Sequence, residues 1–346
     1  MKNKIKVAVL MGGKSSEHEI SILSGQQVVK NLDKKRYEVL PVVISKDGTK
    51  WQLTSVNSIL SLDNPIGLMG TDKELVIQNT HQLAGNTIAS EKDLDVVFIA
   101  IHGPFGEDGK LQGILETSGI PYTGSGVLAS SIGMDKPMFR KVMLSQKIPI
   151  PKYVVVDKRD PVSYIYKTLG TLPYFVKPVD QGSSVGSSLV KTKKDLPKAL
   201  KIAFKYSDLA LVDEYVDGLE VTCAVIGNEK PVALPVTEIH PLKGEFFNYE
   251  SKYTESGSEE ITPARISKSL TLKIQKLSVD VYKAIGCRGF GRVDFILKDG
   301  KYPIVLEINT IPGLTPMSLL PKAAKAAGIS YSDLLDTIIE HAIEKN

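Results

Sequence analysis

The chain has 346 residues, with 43 basic against 39 acidic side chains and a net charge of +4. It is long enough for two or three domains and too evenly charged for a nucleic-acid footprint, so no nucleic-acid partner is expected. Cys223 and Cys287 are the only cysteines, which excludes a disulfide framework and a cysteine zinc site. The apolar run near the N-terminus is too short for a signal-peptide core and no later stretch matches a bilayer span, so we expect a cytoplasmic location and no membrane partner.

Residues 4 to 11 form a continuous apolar run, followed by Gly12-Gly13-Lys14-Ser15-Ser16 and a helical pattern from about Glu17 to Leu32. Strand, glycine turn and helix is how an open α/β sheet begins, with ligands at the carboxyl ends of its strands. The two glycines fall short of a dinucleotide fingerprint, which argues against an NAD-dependent dehydrogenase. Glu17 and Glu19 fit a helix first turn equally well as dipole complements or as ligand contacts. Asp47-Gly48 predicts a hairpin of Val42–Ile44 with Lys50–Leu53. The rest of the stretch to residue 93 reads as loops and short strands without a chemical signal.

Asp95 to Ile101 is a second buried-strand pattern that delivers His102 to the crevice faced by Gly12 and Glu17. A helix over Lys110–Ser118 stops at Gly119, and Ile120 to Gly126 reads as a further strand and turn, with Tyr122 as packing. A domain boundary is expected between Ile132 and Lys136. Asp135 is the N-cap and Pro137 the opening proline of a helix reaching Gln146. An extended run from Ile148 to Val156 and a helix around Tyr164–Thr168 follow. Tyr174–Pro178 is then a strand carrying Lys177, and Gln181 to Ser188 is a Gly/Ser loop leading into Leu189-Val190. Standing alone, that loop reads more readily as a flexible hairpin tip than as a phosphate cradle, and it is not a Walker A loop.

Helices are expected over Leu196–Tyr206, Ile266–Ile285, from Ser318 and over Tyr331–Glu344, the last with Leu334, Leu335, Ile338, Ile339 and Ile343 as its core stripe. Strands are expected at Ala210–Glu214 and Val221–Ile226. Residues 240 to 263 are polar and aperiodic and read as a functional lid carrying Tyr249, Lys252 and Tyr253.

The most informative stretch runs from Gly286 to Asn309. Two β-rich runs flank Asp299-Gly300, a strong hairpin signal. A two-residue loop would set Arg292 opposite Glu307, Asp294 opposite Val305 and Asn309 opposite Phe290. Arg292, Asp294, Glu307 and Asn309 then share one face with Phe290, Ile296 and Val305. Val293, Phe295, Leu297, Ile304, Leu306 and Ile308 form the core face. Such a polar face on an arbitrary hairpin is a solvated one. Here its apolar neighbours argue that it is covered, and covered carboxylates need a counter-charge. Hard oxygen donors with room for water point to magnesium shared with phosphates.

Together these features resemble the D-alanine–D-alanine ligase family of the ATP-grasp superfamily. The resemblance rests on Gly12-Gly13-x-Ser-x-Glu17-x-Glu19-x-Ser21, His102-Gly-x-x-Gly-Glu-Asp-Gly109, Gly124-Ser-Gly126 and Met134-Asp-Lys136. It continues with Lys177-Pro, Gly182-Ser-Ser-Val-Gly186, Tyr249-x-x-Lys252-Tyr253, Gly289-x-Gly-Arg-x-Asp294 and Glu307-x-Asn309-Thr-x-Pro-Gly313. These motifs occur in family order over nearly the whole chain.

The resemblance implies an α/β and α+β chain of three-domain ATP-grasp architecture. An N-terminal open parallel α/β domain (1–133) would bind the first substrate. A central ATP-grasp subdomain (134–215) would carry the phosphate loop, and a C-terminal one (216–346) the lid and metal hairpin. It implies ligation of two D-alanines through an acyl phosphate for peptidoglycan precursor synthesis, with ATP and two magnesium ions (manganese substituting) and a homodimer.

By position, Glu17 would hold the first ammonium, with His102 near it. Lys136, Lys177, Lys252 and the Ser183, Ser184 and Val185 loop would serve the nucleotide phosphates. Glu214, the Val216 backbone and Glu220 would take adenine and ribose. Asp294, Glu307 and Asn309 would hold the metals, and Arg292 with the Gly313 amide the oxyanion. Ser318 and the Leu319 amide would take the second carboxylate. Glu17, Ser183 and Tyr253 match a hydrogen-bonded set of the family.

The chain departs from the pattern where Asp213-Glu-Tyr215 stands in the adenine segment, since other members can carry lysine after the glutamate. A ligase for D-lactate or D-serine is the nearest alternative. Members with that preference change the lid around the Lys-Tyr pair, and Lys252-Tyr253 is kept here. A non-catalytic nucleotide-binding protein would have no need of Arg292.

Overall fold

The computed structural model describes residues 4–62, 81–83, 94–242 and 257–344. The apolar run near the N-terminus becomes β1 (Ile5–Gly12), whose residues Val7 to Met11 are wholly buried. β1 pairs in parallel with β2 (Tyr37–Ile44) on one side and, on the other, with the strand Val96–Ile99. The Asp47-Gly48 hairpin is present: β3 (Trp51–Leu53) runs antiparallel to β2, and β4 (His81–Leu83) continues the sheet. Counting Val96–Ile99 as β5, the order is β4-β3-β2-β1-β5. The parallel centre leaves the ends of β1 and β5 side by side, where open α/β sheets place their ligands.

Gly12 is fixed by that packing. Its φ is +83°, and a Cβ there would lie 2.4 Å from the Ile44 carbonyl oxygen. Gly12→Ala is expected to destabilise the fold by about 2 kcal/mol or more, from left-handed strain plus the clash, read as a lowered urea midpoint.

The segment after β5 corrects one expectation. Residues 120 to 126 form a single bridge, Val97↔Tyr122, instead of a strand. The helix Val127–Met134 follows, which the sequence did not announce because it buries only Ala129 and Ser130 while Leu128 is exposed. The helix Lys136–Ser145 starts as expected, with Asp135 accepting from the Met138 N–H at 2.8 Å.

An antiparallel sheet then forms from β6 (Tyr153–Asp157), β7 (Tyr174–Pro178), β8 (Ser188–Val190) and β9 (Leu209–Glu214), in the order β6-β9-β7-β8. Helices Val162–Leu169 and Leu196–Ala203 cover it. The third sheet contains β10 (Gly218–Ile226), β11 (Val232–Ala233), β12 (Thr237–Pro241), β13 (Ser258–Ile261), β14 (Phe290–Lys298) and β15 (Tyr302–Asn309). Its order is β13-β12-β10-β14-β15, with β11 beside β10. Part of the expected lid is therefore strand: β12 and β13 enter the 240–263 stretch from either end and pair. Helix Lys268–Ala284 packs against this sheet.

The C-terminal helices Leu319–Ala326 and Tyr331–Ile343 return to the first sheet. Leu334, Leu335, Ile338 and Ile339 share one core with Val7–Met11 and Val96–Ile101. The expected stripe is right except at its end, where Ala342 turns inward and Ile343 outward. Among the described residues no helix is long and apolar enough to cross a membrane.

Candidate active site

The hairpin of β14 and β15 has a different register from the one expected. Lys298 pairs with Tyr302, so the loop has three residues, with Asp299 (φ 53°) and Gly300 (φ 64°) both left-handed. Taken alone, that loop would put Arg292 and Glu307 on opposite faces. A β-bulge restores the parity: Phe295 pairs with Val305 but Asp294 pairs with Glu307, leaving Leu306 as the extra residue. Arg292 consequently faces Asn309. The four polar residues do share a face, through the bulge and not through the loop. The core assignment shifts accordingly, since Val305 is wholly buried with Phe295 while Leu306 and Ile296 line a cavity.

On that face Asp294 is the hub. Arg292 donates to it from Nε at 2.7 Å and Nη2 at 2.8 Å, Thr222 from Oγ1 at 2.6 Å and Asn309 from Nδ2 at 2.9 Å. Thr222 arrives because it is the direct β10 partner of Asp294, a cross-strand neighbour that local pattern did not reveal. Asp294 and Glu307 line a cavity of ≈ 460 Å³, within the range of small-molecule sites. Across it stand Lys136, Lys177 and Ser184, and further along Glu214, Val216 and Glu220.

The donor set suits magnesium. Two carboxylates and an amide oxygen are hard ligands too few for a closed cage, which leaves positions for phosphate oxygens and water. Among the described residues no three His, Cys, Asp or Glu side chains group closely enough to hold a metal ion.

Both lysines are buried. Burial pushes the Lys136 ammonium below its ordinary value, and the charges of Lys177 and Arg140 add to this against those of Glu307 and Asp180. An anion entering the cavity would relieve that penalty. In the 182–186 loop Ser183 (φ 49°) and Ser184 (φ 59°) are left-handed without being glycine, in a turn where the Val185 N–H donates to the Gly182 carbonyl at 3.1 Å. Gly186 (φ 73°) admits no side chain, because a Cβ would come within 2.8 Å of Pro178 and Tyr206.

The loop also reaches the N-terminal unit, where Ser183 Oγ donates to Glu17 Oε1. Glu17 is 6 % exposed and lies against Gly103 and Gly182, either of which would crowd it with a Cβ. His102 is close by and buried, with Nδ1 donating to the Ile311 carbonyl at 3.0 Å and Nε2 2.8 Å from Ser24 Oγ. Burial lowers the imidazole, but the Glu107 carboxylate 3.8 Å away, the Glu17 charge and the Ile311 carbonyl outweigh it and hold His102 above its ordinary value. Gly313 backs onto Ser318: a Cβ on it would lie 2.7 Å from Ser318 Oγ, at the N-cap of the helix Leu319–Ala326.

Three residues without a role from the sequence belong here: Glu107, Asp213 and Arg140. Glu107 stands in the quoted His102 motif and feels Glu17, His102 and Arg292 together. Asp213 is 2 % exposed and lines the cavity beside Lys177. A charge within the Ala-Leu-Val run of β9 was the available signal for it. Glu214 next to it lines the cavity while its Oε1 accepts the Lys152 N–H at 3.0 Å. Tyr249, Lys252 and Tyr253 lie outside the described residues.

Two family models match the chain: the D-ala D-ala ligase N-terminus over residues 6–125 and the D-ala D-ala ligase C-terminus over 142–340. A curated D-alanine--D-alanine ligase of Caldicellulosiruptor bescii is 41% identical, the match covering 99% of this chain and 96% of that one. The chain belongs to the D-alanine–D-alanine ligase family. Its ATP-grasp fold is shared with solved members of that family. The Coxiella burnetii D-alanine-D-alanine ligase matches with TM-score 0.80 at 33% identity, covering 98% of this chain and 95% of the other. The VanG D-Ala:D-Ser ligase of Enterococcus faecalis matches with TM-score 0.84 at 33% identity, over 98% and 100%. A Bacillus anthracis D-alanine--D-alanine ligase complexed with ATP matches with TM-score 0.75 at 33% identity, over 98% and 97%.

Proposed function

We propose that this family member is an ATP-dependent ligase joining two D-alanines into D-alanyl-D-alanine. The observation that carries the reading is the lining of one cavity, where the buried Lys136 and Lys177 stand across from the carboxylates of Asp294 and Glu307, with Asp294 ion-paired to Arg292. Such a lining suits a reaction that transfers a phosphoryl group.

In this reading Glu17 takes the ammonium of the first D-alanine, with His102 beside it. Lys136, Lys177 and the loop residues Ser183, Ser184 and Val185 hold the ATP phosphates. Glu214, the Val216 backbone and Glu220 take the base and sugar. Asp294, Glu307 and Asn309 hold two magnesium ions, which when bound supply charge neutralisation at the phosphates. A carboxylate oxygen of the first D-alanine attacks the terminal phosphorus, ADP leaves, and an acyl phosphate remains. The neutral amine of the second D-alanine then attacks the acyl carbon. The oxyanion so formed meets Arg292 and the Gly313 N–H, and phosphate departs as the amide forms. Ser318 and the Leu319 N–H take the second carboxylate at a helix N-terminus.

Ser183 links the phosphate loop to the N-terminal unit at Glu17. The product would feed peptidoglycan precursor synthesis in the cytoplasm, and the protein would act as a homodimer. The test is ADP release with D-alanine alone against D-alanine plus D-lactate or D-serine at neutral pH. D-alanine alone is expected to saturate the rate, with the dipeptide as product; a clear preference for either second substrate would overturn the assignment.

A further inference from the structure

We propose that Arg140 and Asp213 form a buried clamp that positions Lys177 for the nucleotide phosphates and ties it to the metal-bearing strand. The proposal rests on Lys177 being a phosphate contact. Asp213 Oδ2 forms an ion pair with Lys177 Nζ at 2.9 Å and accepts a hydrogen bond from Arg140 Nη2 at 3.1 Å. The same guanidinium donates from Nη1 to the Val305 carbonyl at 3.0 Å, two residues before Glu307. Arg140 is 1 % exposed and Asp213 2 %.

The topology makes this contact. Phe175 pairs with Asp213 and Lys177 with Leu211, so Lys177 and Asp213 are diagonal neighbours on one face of the β7–β9 pair. Phe175, two residues before Lys177, places its ring 5.7 Å from Nζ. The lysine is thus bracketed between a ring and a carboxylate. A lysine stem is otherwise flexible, and holding it in its bound position lowers the ordering cost of binding. Lys136 opens the helix Lys136–Ser145 and Arg140 follows one turn later, so a single helix carries one phosphate lysine and aims the other.

Stability alone does not account for the arrangement. Among the described residues, Arg140 Nε and Asp213 Oδ1 are buried without a hydrogen-bond partner, and a half-satisfied buried pair is worse for the fold than apolar packing. What the pair fixes is the spacing between Lys177 and the strand of Glu307.

The experiment is displacement of a fluorescent nucleotide by ATP and, separately, by adenosine, for Lys177→Met, Asp213→Asn, Arg140→Met and Arg140→Lys. The first three are expected to weaken ATP about tenfold and leave adenosine unchanged, with Arg140→Lys recovering part of the loss. If Arg140→Met does not fold, Asp213→Asn and Arg140→Lys carry the comparison. Equal weakening of ATP and adenosine in Asp213→Asn would overturn the proposal, making Asp213 a ligand of the base. ATP affinity unchanged in Asp213→Asn and the Arg140 variants, but lost in Lys177→Met, would reduce the pair to a brace of the fold. Unchanged affinity in Lys177→Met would instead overturn the phosphate assignment beneath it.

Discussion

Arg292→Ala is expected to lower kcat about a hundred- to a thousandfold while ATP affinity changes little. The expectation follows from the position of the guanidinium. It is 9 % exposed and paired to Asp294 at the cavity wall, and in its proposed role it meets charge that develops only once the amine attacks. Losing one preorganised donor to an oxyanion costs about 3–4 kcal/mol. Under the proposed roles, nucleotide affinity depends instead on Lys136, Lys177 and the 182–186 loop. The variant also takes the counter-charge away from the buried Asp294 carboxylate, to which Thr222 and Asn309 still donate, so a lower melting temperature is expected alongside. Steady-state rates together with ATP titration decide the matter. A loss of ATP affinity as large as the loss of rate would make Arg292 a phosphate anchor.

Asp294→Asn is expected to have an effect of similar size on rate but of a different kind. Asparagine can keep much of the geometry toward Thr222 while removing the charge. Under the proposed role this lowers kcat by about two to three orders of magnitude and shifts the magnesium requirement upward. Rate against magnesium at fixed ATP separates the two variants: the Arg292 variant should keep its magnesium midpoint and the Asp294 variant should not. An unchanged midpoint in Asp294→Asn would remove Asp294 from the metal site.

The behaviour of the hairpin shows what local sequence encodes. Alternation of polar and apolar residues made the existence of β14 and β15 plain, and Asp299-Gly300 marked the turn. Neither the loop length nor the bulge at Leu306 is written in that alternation, because both depend on how β14 packs on β10 and β15. Two departures, each shifting the register by one residue, combined to preserve the shared face. The helix beginning at Lys136 was legible because its cap is chemical: an Asp135 side chain and a Pro137 ring act within one turn. The helix at Val127 was not, since its small buried residues give no stripe.

The candidate site divides in the same way. Glycines of the 182–186 loop, the lysine of β7 and the acids of the hairpin belong to contiguous motifs and could be read together. Asp213 and Arg140 meet across 73 positions of sequence, and only the β7–β9 pairing brings Lys177 to them. Thr222 joins Asp294 across 72 positions for the same reason. Glu107 sat inside a quoted motif, yet its proximity to His102, Glu17 and Arg292 is a property of three elements converging.

The central claim is that one site first phosphorylates a D-alanine carboxylate and then forms the amide on the same carbon. The most direct measurement uses D-alanine labelled with heavy oxygen in its carboxylate, with mass analysis of the phosphate released as the dipeptide accumulates. The account predicts that a carboxylate oxygen is carried into the phosphate in step with dipeptide formation. Unlabelled phosphate released alongside dipeptide would contradict it, because the acyl carbon would then never have been bonded to phosphate through that oxygen.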